Sequence, residues 1–240
     1  MRLSKPFSRL AQVYDAIMSD IDYDAWGSFI LSAATERGWS GGRCLDLGCG
    51  TGNSTFPVFA RGFEVTGLDV SAEMLAVARE KLPPVSFVQG DFLNFRLGRQ
   101  FSLIYSMFDS LNNLLEPAQL ITAASNVRQH LEPGGFFIFD VNTTAGLRDL
   151  WTQGRAEGWS GEVYYRWEHS FDEATGLAKV EAYCETETRS FTEVHFERPY
   201  DAPELKRFLG EAGFAEVETL AHPDGGEAEP DAPRLWVIAR

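Results

Sequence analysis

Cys44-Leu45-Asp46-Leu47-Gly48-Cys49-Gly50-Thr51-Gly52 is the stretch on which the reading of this chain turns. An apolar strand runs through an acid into three glycines at alternate positions, and a helix is expected to follow. Glycine lets the backbone bend tightly and admits a ligand where a Cβ would block it. Asp46 falls at the carboxyl end of the strand, where open α/β sheets bind ligands. On its own the stretch suits equally a strand-to-helix turn that merely needs glycine. The flanking chain decides.

Strand and helix alternate downstream. Arg43–Leu47 is the first strand, Asn53–Arg61 a helix stopped by Gly62, and Phe63–Leu68 a second strand ending at Asp69. Ser71 caps a helix that runs to Lys81, ahead of Pro83-Pro84. Val85–Gln89 is a third strand closed by Gly90-Asp91. Phe101–Met107 is a fourth, and its nearly unbroken apolar run suits a strand covered on both faces. Pro117–His130 reads as a helix, which Glu132-Pro133-Gly134-Gly135 turns into the strand Phe136–Val141. Alternation this regular specifies a parallel sheet with right-handed crossovers.

Upstream, residues 9–19 and 22–37 read as two amphipathic helices, with Leu10, Val13, Tyr14 and Ile17 on one face of the first. After Asn142 the pattern changes. Residues 143–161 are Gly- and Trp-rich and read as irregular. From 162 to 199 the period becomes two, giving strands at 163–171, 179–188 and 191–198, an antiparallel meander laid over the parallel core. Pro203–Gly213 returns to helix, and Phe214–Leu220 and Leu235–Ala239 are the last strands.

Composition bounds the function. The 240 residues are enough for one domain with a sizeable core, and 44% hydrophobic content is that of a globular chain. A net charge of −14 without any Lys/Arg run makes nucleic acid an unlikely partner and repels anionic membranes. No apolar run approaches the length of a membrane span. Cys44, Cys49 and Cys184 show no metal-ligand spacing, so no metal is expected, and reduced thiols in the cytoplasm are. Arg2, Lys5 and Arg9 precede the first acid, Asp15, but no apolar signal core follows them.

Two further acids end strands. Asp69 lies at the spacing after a glycine turn where a carboxylate meets ribose hydroxyls. Asp91 can accept from an exocyclic amine, with Phe92 beside it as an apolar wall, and Met74 is placed to cover a purine face. Any one of the three acids would read as a solvated loop residue; three ending successive strands form a ligand-binding edge.

This arrangement resembles the class I methyltransferases that use S-adenosylmethionine. Asp46–Gly52 is similar to that family's first motif, Gly67-Leu68-Asp69-Val70-Ser71 to its second and Gly90-Asp91-Phe92 to its third, over about residues 40 to 142. The resemblance implies a Rossmann-like α/β fold: a seven-stranded, mostly parallel sheet with helices on both faces and the last strand antiparallel. It also implies a cofactor site of Tyr14, Trp26, Asp46, Gly48, Gly50, Asp69, Val70, Met74, Asp91, Phe92 and Met107. Asp46 and Gly48 would lie near the methionyl amine, Asp69 on the ribose, and Met74, Asp91 and Phe92 around the adenine.

A narrower likeness joins Val13-Tyr14-Asp15, Asp22-Tyr23-Asp24-Ala25-Trp26, Phe108-Asp109-Ser110-Leu111-Asn112 and Arg198-Pro199-Tyr200 to a small-molecule subgroup. That subgroup includes YqeM-like proteins and sugar-amine N-methyltransferases. It implies an N-terminal helical lid (1–39), a cofactor-binding core (40–142 and 201–240) and an antiparallel β insert (143–200) on the substrate side. Charge agrees with the cofactor: a sulfonium cation without phosphates suits an acidic mouth, whereas Asp46 would oppose a pyrophosphate.

Methyl transfer from a sulfonium is an in-line displacement to an N or O atom, and the protein's main task is alignment in a water-poor pocket. A base is needed only where the acceptor must lose a proton. Candidates are His195, Tyr14 and Asp109, with no catalytic assignment among them. His195 shares a strand face with Glu193 and Glu197, opposite Val194 and Phe196, and is expected on the surface. Asp109 and Asn112 are expected to line the substrate pocket. The aromatic side chains Trp151, Trp159, Tyr164, Trp167 and Tyr183 suit either a ring-bearing small-molecule acceptor or the interface of a homodimer. Two competing readings are a nicotinamide-dependent oxidoreductase and a cofactor-binding module without transferase activity. The first meets G-x-G-x-G where G-x-G-x-x-G is wanted, and no Tyr-x-x-x-Lys occurs.

Overall fold

The computed structural model describes residues 7–152 and 154–240, without the side chains of 151 and 152. Arg2, Lys5 and the Trp151 side chain thus lie outside the described residues. In chain order, a single 3-10 turn at Leu10–Gln12 leads into α1 (Tyr14–Ile17) and α2 (Tyr23–Glu36). The core follows as β1 (Cys44–Leu47), α3 (Thr55–Ala60), β2 (Val65–Asp69), α4 (Ala72–Lys81), β3 (Ser86–Gln89) and β4 (Phe101–Ser106). A 3-10 turn at Ser110–Asn113 precedes α5 (Pro117–His130) and β5 (Leu131–Asn142). Then come α6 (Thr144–Thr152), β6 (Arg155–Ser160), β7 (Val163–Asp172), β8 (Leu177–Thr186), β9 (Arg189–Glu197), α7 (Ala202–Glu211), β10 (Val217–Ala221) and β11 (Arg234–Ala239).

The main sheet has the order β10-β11-β5-β4-β1-β2-β3, and β11 runs antiparallel to both of its neighbours. Alternation along the strands feeds two cores. Leu45, Leu47, Ile104, Phe137 and Phe139 face α5 and α7, while Cys44, Leu103, Tyr105, Phe136 and Ile138 face α2. Each large side chain buried this way contributes roughly 2–3 kcal/mol. Local signals fix the helices: Asp22 accepts the Ala25 amide at 2.9 Å, Ser71 accepts the Met74 amide at 3.2 Å, and Glu116 with Gln119 forms a capping box ahead of Pro117. The turns following β1, β2 and β4 all gather at the carboxyl edge of the sheet. That edge is the floor of the site.

The second sheet, β6-β7-β8-β9, is antiparallel throughout. Its inner face carries Val163, Ala182, Cys184 and Phe191, against which Leu10, Val13 and Tyr14 pack.

Three expectations need correction. The helix over 9–19 is a 3-10 turn and one short α turn, because Glu193 of β9 takes the Arg9 and Leu10 amides and draws the segment onto the insert. The irregular 143–161 segment is α6 plus a fourth insert strand, β6. Gly146 lies inside α6 because a Cβ there would come within 1.9 Å of the Pro233 carbonyl oxygen. Trp159, the large apolar residue of β6, is 71% exposed, so that edge strand shows no core-facing alternation. Finally, Glu132–Gly135 belongs to β5, with a register shift opposite Phe101 and Leu103.

Candidate active site

The glycine turn and the segment after β4 border a small, partly open cleft of about 30 Å³. Its walls are Gly48, Cys49, Gly50, Thr51, Asn53 and Ser54 from the turn, Met107, Phe108 and Ser110 from the β4 exit, and Tyr14 and Tyr23 from the N-terminal helices. Among the described residues no Lys or Arg lines it. Gly48 adopts φ +83°, and a Cβ there would stand 3.0 Å from Phe92 and from Ser110. Gly50 adopts φ +52° with open space where its Cβ would be.

Beneath the turn lies Asp46, fully buried. Its Oδ2 accepts from Ser54 Oγ at 2.7 Å and Thr55 Oγ1 at 2.6 Å, while Oδ1 has no partner among the described residues. Burial pushes its carboxyl up to about 7 despite those two hydroxyls. Asp69 braces the turn from β2: Oδ2 accepts the Gly50 amide at 2.9 Å and Oδ1 the Ser71 amide at 2.8 Å. Burial raises this carboxyl too.

The N-terminal segment roofs the cleft and is pinned at several points. Asp15 accepts from Thr51 Oγ1 at 2.5 Å, Asn53 Nδ2 at 3.1 Å and Lys81 Nζ at 2.5 Å. Phe7 O accepts from Ser71 Oγ at 3.1 Å. Glu193 Oε1 takes the Arg9 and Leu10 amides and Ser8 Oγ. Tyr14 and Tyr23 share a hydroxyl contact, and burial holds the Tyr14 phenol well above its ordinary value and Tyr23 up to about 12. Burial thus favours the protonated phenol in both.

At the far wall, Phe108 and Asp109 adopt φ +60° and +48°, two consecutive left-handed non-glycine residues. Such strain persists only where the surroundings enforce it. Here Arg234 does so: its Nε donates to Asp140 Oδ2 at 2.7 Å, its Nη2 reaches Asp109 Oδ1, and the guanidinium lies 5.0 Å over Trp26 and 5.2 Å over Phe108. Burial raises the Asp109 carboxyl against the lowering influence of Arg234.

Of the residues singled out from sequence, Tyr14, Gly48, Gly50 and Met107 line the cleft, and Asp46 and Asp69 support it. Phe92 touches Gly48 from outside the lining. Trp26 lies one layer away, against Phe108, His222 and Trp236. Val70 is 62% exposed, Met74 is buried under the N-terminal segment, and Asp91 accepts the Leu93 amide at 2.9 Å. Asn112 is fully buried and spent on backbone, donating to Asn142 O and Arg198 O and accepting the Asn142 amide. It ties the insert to β5.

His195 is not on the surface. It is 4% exposed, Glu193 beside it 1%, and Phe196 on the opposite face 41%. The insert turns its acidic face inward, because β8 presents Ala182 opposite Glu193 and Val180 opposite His195 on the side that the N-terminal segment covers. Burial lowers His195 to about 4 and, aided by Asp109, raises Glu197 to about 8.

The family described as a methyltransferase domain matches residues 44–135. Over 248 residues the chain is 30% identical to "Putative methyltransferase YqeM" of Bacillus subtilis, covering 98% of this chain and 96% of that protein. It is 38% identical over 133 residues to the dTDP-3-amino-3,4,6-trideoxy-alpha-D-glucopyranose N,N-dimethyltransferase of Streptomyces venezuelae, spanning 54% of this chain and 56% of that one. A solved S-adenosylmethionine-dependent methyltransferase from Clostridium acetobutylicum superposes with a TM-score of 0.86 at 26% identity, over 97% of both chains.

Proposed function

The chain belongs to the S-adenosylmethionine-dependent methyltransferases, and from that premise we propose that it methylates an N or O atom of a small molecule. The observation that carries the reading is the buried Asp46 Oδ1, without a hydrogen-bond partner among the described residues, beneath a glycine turn whose cleft none of their cationic side chains lines. A buried acceptor without a donor calls for a ligand that brings one. A cation without phosphates fits that cleft, and a pyrophosphate does not. The close approach at Gly48, where a Cβ would strike Phe92 and Ser110, fits a ligand lying on the backbone itself.

S-adenosylmethionine, when bound, supplies a methyl group already activated on a sulfonium. The chain's own residues supply position. We assign Asp46 to the amine end, Gly48 and Gly50 to backbone contact, Asp69 to the ribose, and Val70, Met74, Asp91 and Phe92 to the adenine side. Tyr14 and Met107 face the reacting region, with Trp26 behind them. Pinned through Asp15 and Glu193, residues 1–39 act as a lid that keeps water out, which favours displacement over hydrolysis. In this division 40–142 and 201–240 hold the cofactor and 143–200 meets the acceptor.

The names of the sugar-dimethyltransferase relatives support a small-molecule acceptor, and the net charge of −14 supports one that is not nucleic acid. Three buried free cysteines support a reducing, cytoplasmic setting, and among the described residues no helix is long and apolar enough to cross a membrane. The exposed Trp159, beside Tyr164 on the outer face of the insert, is the surface on which we would place a homodimer contact. Release of S-adenosylhomocysteine, measured with dialysed and undialysed fractions of a cell extract, tests the acceptor class. Activity restored by the dialysable fraction is expected; activity confined to the macromolecular fraction would overturn the reading.

A further inference from the structure

Three inward-facing residues of β9, Glu193, His195 and Glu197, carry buried polar atoms that no hydrogen bond among the described residues satisfies. Glu193 Oε2 faces His195 Nε2 at 3.5 Å, and His195 Nδ1 and Glu197 Oε2 are buried without a hydrogen-bond partner among the described residues. Native proteins pair nearly all such groups, so the two orphans on one strand face point to a ligand. Alternate residues on a strand stand about 7 Å apart, so acid, imidazole and acid are presented in a line.

The row adjoins the cleft. Phe7 stacks its ring on His195 at 4.4 Å, and the residues after it are capped by Glu193, so the N-terminal segment roofs the row and the cleft together. At the other end Glu197 faces Asp109 and Arg234, with Asn142 donating to it. Asp109 lies between Phe108 and Ser110, which both line the cleft. The cation here, Arg234, is already divided between Asp109 and Asp140. Glu197 therefore adds a carboxylate to a cluster whose positive charge is spent.

We propose that Glu197, with His195 next to it on the inward face of β9, forms the acceptor subsite, that it takes a free, non-phosphorylated amine, and that Glu197 receives the amine's proton. The proposal rests on the methyltransferase reading. An ammonium brings the missing charge and up to three donors to the Glu197 carboxylate beside Asp109, whereas a phosphate there meets repulsion. The bound ammonium gives one proton to the Glu197 carboxylate, which frees the nitrogen lone pair. That pair forms the N–C bond as the methyl–sulfur bond breaks. The electron pair of the broken bond stays on sulfur, the sulfonium becomes a thioether, and its positive charge ends on the methylated nitrogen. A carboxyl raised by burial and by Asp109 is well matched to an amine donor.

The test gives the full chain S-adenosylmethionine with amino sugars, amino alcohols and polyamines, each beside its N-acetylated and phosphorylated counterpart. Turnover is expected with a free amine and not with those counterparts. Glu197→Gln should lower kcat/KM for that amine about 30-fold or more and abolish its rise with pH through about 8, with cofactor affinity unchanged. A second measurement needs no acceptor. If the row is kept for a ligand, Glu197→Gln and His195→Phe should hold or raise Tm. The proposal is overturned by preference for a phosphorylated or acetylated acceptor, by an unaltered Glu197→Gln, by a lower Tm in both variants, or by no amine turnover beside intact cofactor binding. Loss of cofactor binding in the unaltered chain would instead remove the methyltransferase reading beneath it.

Discussion

Asp69 Oδ2 accepts the Gly50 amide at 2.9 Å, tying the carboxyl end of β2 to the glycine turn that leaves β1. The other oxygen takes the Ser71 amide at 2.8 Å, so one side chain braces two turns of the sheet edge. The acid proposed for the ribose thus also shapes the loop beside it, and the two duties are separable by experiment.

Asp69→Ala should abolish binding of both S-adenosylmethionine and its demethylated product, weakening each about 100-fold or more, since hydrogen bonds to a charged group contribute roughly 1.5–3 kcal/mol apiece. Asp69→Asn keeps an oxygen for the Gly50 amide and should preserve more of the fold than of the affinity. Calorimetry on both variants checks this. Affinity within a few-fold of the unaltered chain in Asp69→Ala would rule out the ribose contact.

Gly48 and Gly62 make a controlled pair. Both have φ near +85°, but a Cβ meets Phe92 and Ser110 at 3.0 Å at Gly48 and nothing within 4 Å at Gly62. Gly62→Ala should cost about 1–2 kcal/mol of stability from backbone strain alone and leave cofactor binding intact. Gly48→Ala should cost more in urea denaturation and lose binding as well.

Arg234→Ala should be among the most damaging single changes, at about 3–5 kcal/mol, because it leaves Asp109 and the buried Asp140 without their shared cation. It also releases the strained Phe108–Asp109 backbone at the cleft. Chemical denaturation measures the loss, and a cost below about 1 kcal/mol would show that the cluster is not held by charge.

Stability should fall between about pH 6.5 and pH 8. The buried Asp46 and Glu197 are raised to about 7 and about 8, so across that window the folded chain holds protons that the unfolded chain has released. Stability drops where the native state binds more protons. Below about 6.5 the trend is offset, because the buried His195 and His222 are lowered to about 4 and stay neutral while their unfolded counterparts protonate. Urea midpoints across pH 5–9 test the sign, and Glu197→Gln should flatten the upper part of the decline.

The carboxyl edge was legible from sequence because its signals are local. Glycine spacing, Asp46, Asp69 and Asp91 at strand ends, and the capping Ser71 each depend on neighbours a few residues away. The covered face of β9 was not, because it depends on register. A period-two strand has two faces, and ordinary hydrophobic logic turns Val194 and Phe196 inward and leaves Glu193, His195 and Glu197 in water. Only the pairing of β9 with β8, which sets Val180 beside His195 and Ala182 beside Glu193, shows the acidic face to be the covered one. The apolar row Ala178, Val180, Ala182 and Cys184 was the available clue, but it needed a register that sequence does not supply. Gly146 misled in a similar way: it reads as a helix breaker, yet it is required by the approach of Pro233. Asp15 was visible within a motif, but its ties to Thr51, Asn53 and Lys81 are long-range.

Calorimetric titration of the purified chain with S-adenosylmethionine, S-adenosylhomocysteine and NADH tests the central claim most directly. Binding of the first two with Kd near micromolar, about −8 kcal/mol, and none of NADH is the expected result. Binding of NADH instead, or of none of the three, would contradict the assignment of Asp46 and the glycine turn to a sulfonium cofactor.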